Sequence, residues 1–191
     1  FDVSKTNPEP QIVAYGLRNP WKISIDSKNR MFIGDCGHER LESVYLLDKL
    51  YTTIPYNLGW AVFEGTERRK RDPLMFQDTL APIYEYRHHQ KGACVIGGYF
   101  IDELNAYLFG DYFGKVRLLK KLEEHWQEIY IQNTPMVFSF GMNANNNNIY
   151  LSGWDKVYRL VPLKEEIKRY PSIVLCDTTM PDGMLSNRDC A

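Results

Sequence analysis

The sequence predicts an all-β fold assembled from repeated two-stranded units, and three stretches carry that prediction. From Ala106 to Lys120, AYLFGDYFGKVRLLK places apolar strand residues at Ala106 to Phe109, a turn opened by Gly110 and Asp111, and a second strand from Val116 to Leu119. The same grammar recurs in RMFIGDCGHERLESVYLL, from Arg30 to Leu47, and in NIYLSGWDKVYRL, from Asn148 to Leu160. Aligned on Arg30, Ala106 and Asn148, the copies stand 76 and then 42 residues apart, and 76 is close to twice the ~40-residue period of propeller blades. A divergent copy is therefore expected between the first and second.

The remaining elements follow in chain order. Phe1 to Pro10 is polar and carries prolines, the pattern of an extended lead-in. Gln11 to Tyr15 suits a strand, ended by the Gly16 to Pro20 turn, where Pro20 biases Asn19 away from helix. Trp21 to Asp26 alternates apolar and polar residues, which predicts a half-buried strand with Trp21, Ile23 and Ile25 on one face. Between Lys49 and Pro82 the pattern loosens; the charge run Glu67 to Asp72 lacks interleaved aromatics and suits a solvated loop. Ile83 to Tyr86 resumes a strand, and the adjacent His88 and His89 point to opposite sides of an extended chain, so they are not expected to share a metal. Cys94 to Ile101 is an apolar strand in which Gly97-Gly98 suggests close backbone approach. Trp126 to Ile131 supplies a further strand, and the Asn143 to Asn148 run suits a turn with left-handed backbone. After Val161 the period ends: Leu163 to Tyr170 suits a short helix and the rest a tail. The expected division is residues 1–161 as blades and residues 162–191 as an irregular tail.

Composition narrows the class. With 191 residues, 44% of them apolar, the chain can bury a core of about one domain. A formal charge of −1 supplies no field that would draw it to nucleic acid or an acidic membrane, and no apolar run reaches the ~18 residues of a membrane-spanning helix. Four cysteines allow three full pairings, among which spacing does not choose. Cys36 and Cys94 suit small strand residues packed inside, while a Cys176–Cys190 disulfide would order the tail and imply an oxidising compartment, extracellular or periplasmic.

Seven stretches come in one order: Gly16-Leu17-Arg18-Asn19-Pro20-Trp21; Gly34-Asp35-Cys36-Gly37; Asn57-Leu58-Gly59-Trp60 with Glu64-Gly65; Pro82-Ile83-Tyr84-Glu85-Tyr86; Val95-Ile96-Gly97-Gly98-Tyr99; Tyr107-Leu108-Phe109-Gly110-Asp111-Tyr112; and Ser139-Phe140-Gly141. In this, residues 11–161 resemble the glucose/sorbosone dehydrogenase family of six-bladed β-propellers, which includes soluble quinoprotein sugar dehydrogenases and hedgehog-interacting-protein-like propellers. The resemblance implies a partial propeller of about four blades, the later part of the domain. The remaining blades would come from chain before Phe1 or from another chain, because a partial ring leaves edges and an apolar seam open.

The resemblance also implies sites. Arg18 and Asn19 match the pair that lines the pocket for pyrroloquinoline quinone (PQQ), where a guanidinium suits an anionic planar cofactor; at a strand entry such an arginine also bonds loop carbonyls. Gly37 and His38 fall where backbone carbonyls hold calcium in the quinoproteins, His38 standing in place of a usual glutamine. The family's general-base histidine lies before this segment, so no catalytic residue is assigned in this chain. The Tyr-Arg-Gly that follows the Gly-Gly-Tyr strand is replaced by Ile101-Asp102-Glu103, and the final-strand arginines by Phe138 to Asn143. Two functions from different classes follow: a PQQ- and calcium-dependent oxidoreductase acting on sugars or alcohols with part of its cofactor site lost, and a non-catalytic propeller that binds a protein or carbohydrate partner or serves a structural role.

Overall fold

The computed structural model describes residues 10–70, 78–88, 93–162 and 173–177. The expected helix over residues 163–170, together with His89 and Cys190, lies outside them. In chain order the strands are β1 (Ala14–Tyr15), β2 (Pro20–Ile25), β3 (Met31–Asp35), β4 (Leu41–Leu47), β5 (Tyr56–Asn57), β6 (Phe63–Glu64), β7 (Glu67–Arg68), β8 (Tyr84–Arg87), β9 (Val95–Ile101), β10 (Ala106–Asp111), β11 (Lys115–Leu122), β12 (His125–Asn133), β13 (Ser139–Met142), β14 (Ile149–Ser152), β15 (Val157–Pro162) and β16 (Ile173–Asp177). They form three four-stranded antiparallel sheets, β2-β3-β4-β8, β9-β10-β11-β12 and β13-β14-β15-β16, with two short two-stranded pairs, β1-β5 and β6-β7. Each large sheet is an up-and-down meander, the form of a propeller blade, so the chain has the all-β, partial-propeller architecture that the repeats predict.

Two details differ from expectation. The copy expected between the first and second repeats is not a separate four-stranded blade among the described residues: after β4 the chain makes an excursion through β5 and the short β6-β7 hairpin, then returns at β8 to pair Leu41 with Arg87. The long spacing is one blade plus an insertion, and the described residues contain three four-stranded sheets. In addition, Ile173–Asp177, within the expected tail, pairs with β15 as the outer strand of the third sheet. Among the described residues no helix is long and apolar enough to cross a membrane.

The sheets stack face to face. Between the first and second, Phe32 lies 4.5 Å from Tyr107 and 5.3 Å from Phe100, both stacked, with Val44, Val95, Phe109 and Leu119 buried around them. Between the second and third, Ile96, Leu108, Val116 and Leu118 meet Val137, Phe140, Ile149 and Leu151. The backbones approach closely where glycine permits it: a Cβ on Gly34 of β3 would stand 2.7 Å from the amide nitrogen of Gly97 in β9. The predicted Gly97-Gly98 approach is thus the first inter-sheet contact, and Gly97 adopts φ +80, a conformation that costs a side-chain-bearing residue energy.

The alternation in β2 holds, but the buried side is the polar one. Ser24 and Asp26 are buried, while Trp21, Ile23 and Ile25 are about half exposed. Asp26 is satisfied inside by the Lys28 and Arg30 amides and by the Arg30 guanidinium, whose ion pair measures 2.6 Å. The outer face of the first sheet is covered at β3 and β4, where Ile33, Tyr45, Leu47 and Leu58 pack with residues of β1 and β5; along β2 it is open.

Two glycines separate contact from composition. Gly34→Ala is expected to lower stability by about 1 to 3 kcal/mol, because the new methyl meets backbone that cannot yield, whereas Gly141→Ala, whose Cβ would meet nothing within 4 Å, should stay within about 0.5 kcal/mol of the parent. Chemical denaturation of both variants checks this.

Candidate functional site

The residues singled out from the sequence meet at one end of the first sheet. Arg18 and Asn19 form the turn entering β2, and Gly37 and His38 lie in the turn between β3 and β4. Asp35 ties the two turns together. Its buried carboxylate accepts the Asn19 amide at 2.7 Å and the Arg18 amide at 3.1 Å, and the Cys36 amide donates to the Asn19 carbonyl at 3.0 Å. Burial pushes the Asp35 carboxyl up, and these amides with the Arg18 charge pull it part of the way back. The Arg18 guanidinium donates to the Cys36 carbonyl at 3.2 Å, the bond to a loop carbonyl that an arginine at a strand entry makes, while Asn19 is exposed.

The turn that carries Gly37 and His38 wraps an anion of the protein's own. One carboxylate oxygen of Glu64, from β6, accepts the amides of His38, Glu39 and Arg40 at 2.8 Å each and that of Leu41 at 3.2 Å. Its other oxygen is 3.2 Å from Arg69 Nε. Successive amides converging on one oxygen make an anion-binding concavity. Burial alone would raise the Glu64 carboxyl, but the four amides outweigh it and hold the group down to about 2. Trp60 forms the floor beside this turn, with the guanidinium carbons of Arg69 and Arg18 at 4.6 and 5.8 Å from its ring centre and the His38 ring at 6.0 Å. His38 Nδ1 lies 3.1 Å from Arg69 and 3.3 Å from Glu39. Arg69 belongs to the charge run expected to be a solvated loop, yet it is ion-paired here.

Below the turn, Glu42 of β4 is fully buried and accepts the Val95 amide at 2.7 Å and the Gly37 amide at 3.3 Å, with His88 Nε2 at 2.5 Å. Burial raises its carboxyl, opposed by these bonds and the His88 charge. Beside it Cys36 and Cys94 are joined in a disulfide with Cα atoms 4.9 Å apart. This corrects the expectation that they are separate packed thiols: the blade contact at Gly34 and Gly97 brings the ends of β3 and β9 together, which spacing along the chain does not reveal.

At the third sheet, the stretch Phe138 to Asn143 brings no cation; instead Lys22 reaches across from β2 and donates to the Phe140 carbonyl at 3.1 Å and the Tyr99 hydroxyl at 3.2 Å. The Asn143 to Asn148 run is the expected turn, with Asn147 at φ 55. Residue-type reasoning missed Glu64, Glu42, Trp60 and Arg69 as working parts. Glu42 had a visible signal, a single acid inside the apolar run of β4; Trp60 and Glu64 stood among the ordered motif stretches, but the role of Glu64 was not legible because its partners are backbone amides.

The architecture defines an open stack of propeller blades with a polar, aromatic-floored rim at one end of the first blade. Two curated plant proteins share this sequence pattern at a distance: the HIPL1 protein of Arabidopsis thaliana, 27% identical over 212 residues, and the HIPL2 protein of the same plant, 26% identical over 220. Each alignment covers 84% of this chain but 30% of the relative, so the chain spans under a third of the length of these relatives. No family model matches.

The Glu64 nest has a pH signature. Because its folded value of about 2 lies below the ordinary carboxylate value, its contribution is complete above about pH 5 and is lost as pH falls toward 2, about 3 kcal/mol in all. Glu64→Gln is expected to lower stability at neutral pH by about 2 to 3 kcal/mol and to flatten the acid limb of the stability profile, measured by denaturant unfolding at stepped pH.

Proposed function

We propose that this chain is the later part of a glucose/sorbosone dehydrogenase-like propeller, and that its rim serves binding of a protein or carbohydrate partner rather than quinone-dependent oxidation. One observation carries the choice: the cations at the rim are already engaged by the protein itself. Arg18 donates to the Cys36 carbonyl, Arg69 pairs with Glu64, and Lys22 is held by Phe140 and Tyr99. PQQ is a tricarboxylate, and burying it without cationic partners costs several kcal/mol.

The fit of the implied quinone to these residues is poor. The amide face of the Gly37 to Leu41 turn is taken by Glu42 and Glu64, and the strand Ser139–Met142 presents no charged group. No chemical step is therefore routed through a quinone or calcium. The rim keeps instead the exposed polar side chains of Asn19, His38 and Glu39 around this turn, an arrangement suited to hydrogen bonding with a partner.

The open β2 face supports completion by further blades. Trp21, Ile23 and Ile25 continue the apolar surface that Ile33, Tyr45 and Leu47 bury, and an apolar strip on a sheet face is expected to lie against another layer. The relatives are long enough to supply one. The disulfide suits an extracellular or periplasmic setting.

The test uses the intact protein with PQQ and calcium, separately and together. The melting temperature is expected to stay unchanged, with no reduction of an artificial electron acceptor when glucose or other aldoses are added. A saturable rise in melting temperature with PQQ would overturn the binding role and restore the oxidoreductase, since a ligand of the native state must stabilise it.

A further inference from the structure

Four side chains with metal-binding atoms meet at the junction of the first and second sheets, and the rim does not use them together. Cys36 follows β3, Glu42 lies in β4, His88 follows β8 and Cys94 precedes β9. The two sulfurs and a Glu42 oxygen lie within 4.8 Å of one another, and His88 Nε2 is 2.5 Å from Glu42 Oε1. The oxygens of Glu42 are divided between two tasks: Oε2 accepts the amides of Gly37 and Val95, while Oε1 faces His88 and stands 4.0 Å from the Cys36 sulfur. A carboxylate anchored through one oxygen with the other turned toward two sulfurs and an imidazole is the arrangement of a supported metal ligand.

We propose that, when Cys36 and Cys94 are reduced, these two cysteines with Glu42 and His88 form a tetrahedral site for zinc, and that disulfide and metal are alternative ties between the same two blades. The donor set selects the ion. Two thiolates and an imidazole suit zinc and disfavour calcium or magnesium, which take oxygen ligands. Zinc bonds of about 2.0 to 2.3 Å place neighbouring ligand atoms roughly 3.3 to 3.8 Å apart. Closing to that spacing requires the sulfurs to separate and His88, now against Glu42, to swing toward them. In the oxidised chain each sulfur is bonded to the other, and neither is available as a thiolate.

The exchange balances. A phosphine reductant gives two electrons to the disulfide; the S–S bond breaks, each sulfur takes a proton from water, and the phosphine becomes its oxide. Zinc then forms two Zn–S bonds as the two thiols release their protons, with Glu42 binding through Oε1 as the carboxylate and His88 through neutral Nε2. Because Cys36 and Glu42 are buried on the first sheet and Cys94 leads into the second, metal binding and blade closure are one event.

The experiment takes the intact protein with Cys176 and Cys190 both changed to serine, reduced with a phosphine, freed of it and titrated with cobalt(II). One equivalent is expected to bind, with visible bands of tetrahedral cobalt and near-ultraviolet sulfur-to-cobalt charge transfer; zinc should displace it and raise the melting temperature of the reduced protein. The unreduced protein should show neither band. His88→Gln, at the edge of the cluster, should weaken cobalt binding at least tenfold and alter the visible envelope. Should Glu42→Gln fail to fold, the His88 variant and the reduced-versus-oxidised comparison still decide the matter. Absence of charge transfer in the reduced protein, or an unchanged affinity and spectrum in His88→Gln, would overturn the site.

Discussion

The backbone of β3 rests directly on the backbone of β9 at Gly34 and Gly97, and most of the molecule's organisation depends on that approach. A four-stranded sheet has two faces and can hide neither alone. Here the first hides one by bringing Phe32 against Tyr107 and Phe100, which requires the sheets to meet at a distance that side chains at positions 34 and 97 would prevent. The same approach carries the ends of β3 and β9 together, so that Cys36 reaches Cys94 and Glu42 reaches the Val95 amide.

From that contact the rim is built outward by buried carboxylates, each assigned to backbone amides. Asp35 holds the Arg18-Asn19 turn, Glu42 holds the start of β9, and Glu64 holds the turn between β3 and β4. A buried carboxylate is costly unless bonded, and these are satisfied by amides that loops would otherwise leave unpaired. The excursion between β4 and β8 thus does structural work: it delivers Glu64, Trp60 and Arg69 to a blade whose own strands could not provide them. This use of charge also bears on function, because groups that lace the rim together are withdrawn from a ligand.

The distribution of exposed apolar surface is uneven. On the outer face of the first sheet, β3 and β4 are covered by β1, β5 and their neighbours, but β2 presents Trp21, Ile23 and Ile25 to solvent. On the third sheet the residues turned away from the core include Ser139, Gly141 and Ser152 but also Tyr150 and Val157, and Trp154 in the β14–β15 turn is exposed. Both outer sheets thus leave apolar side chains exposed, Trp21, Ile23 and Ile25 on the first and Val157 on the third.

The strand and hairpin pattern was legible along the chain, because alternation, β-branched and aromatic residues and glycine turns act over a few residues: the hairpins of Arg30 to Leu47, Ala106 to Lys120 and Asn148 to Leu160 all appear. The motif order also singled out Arg18, Asn19, Gly37 and His38, without placing the two turns against each other. Packing in three dimensions alone fixes that the long spacing is an insertion, that β2 buries its polar side, that Cys36 bonds Cys94, and that Glu64 fills the turn around His38. Those outcomes depend on which backbone groups lie opposite one another across sheets: Gly97-Gly98 signalled a close approach but not its partner strand, and amide donors leave no trace in side-chain identity.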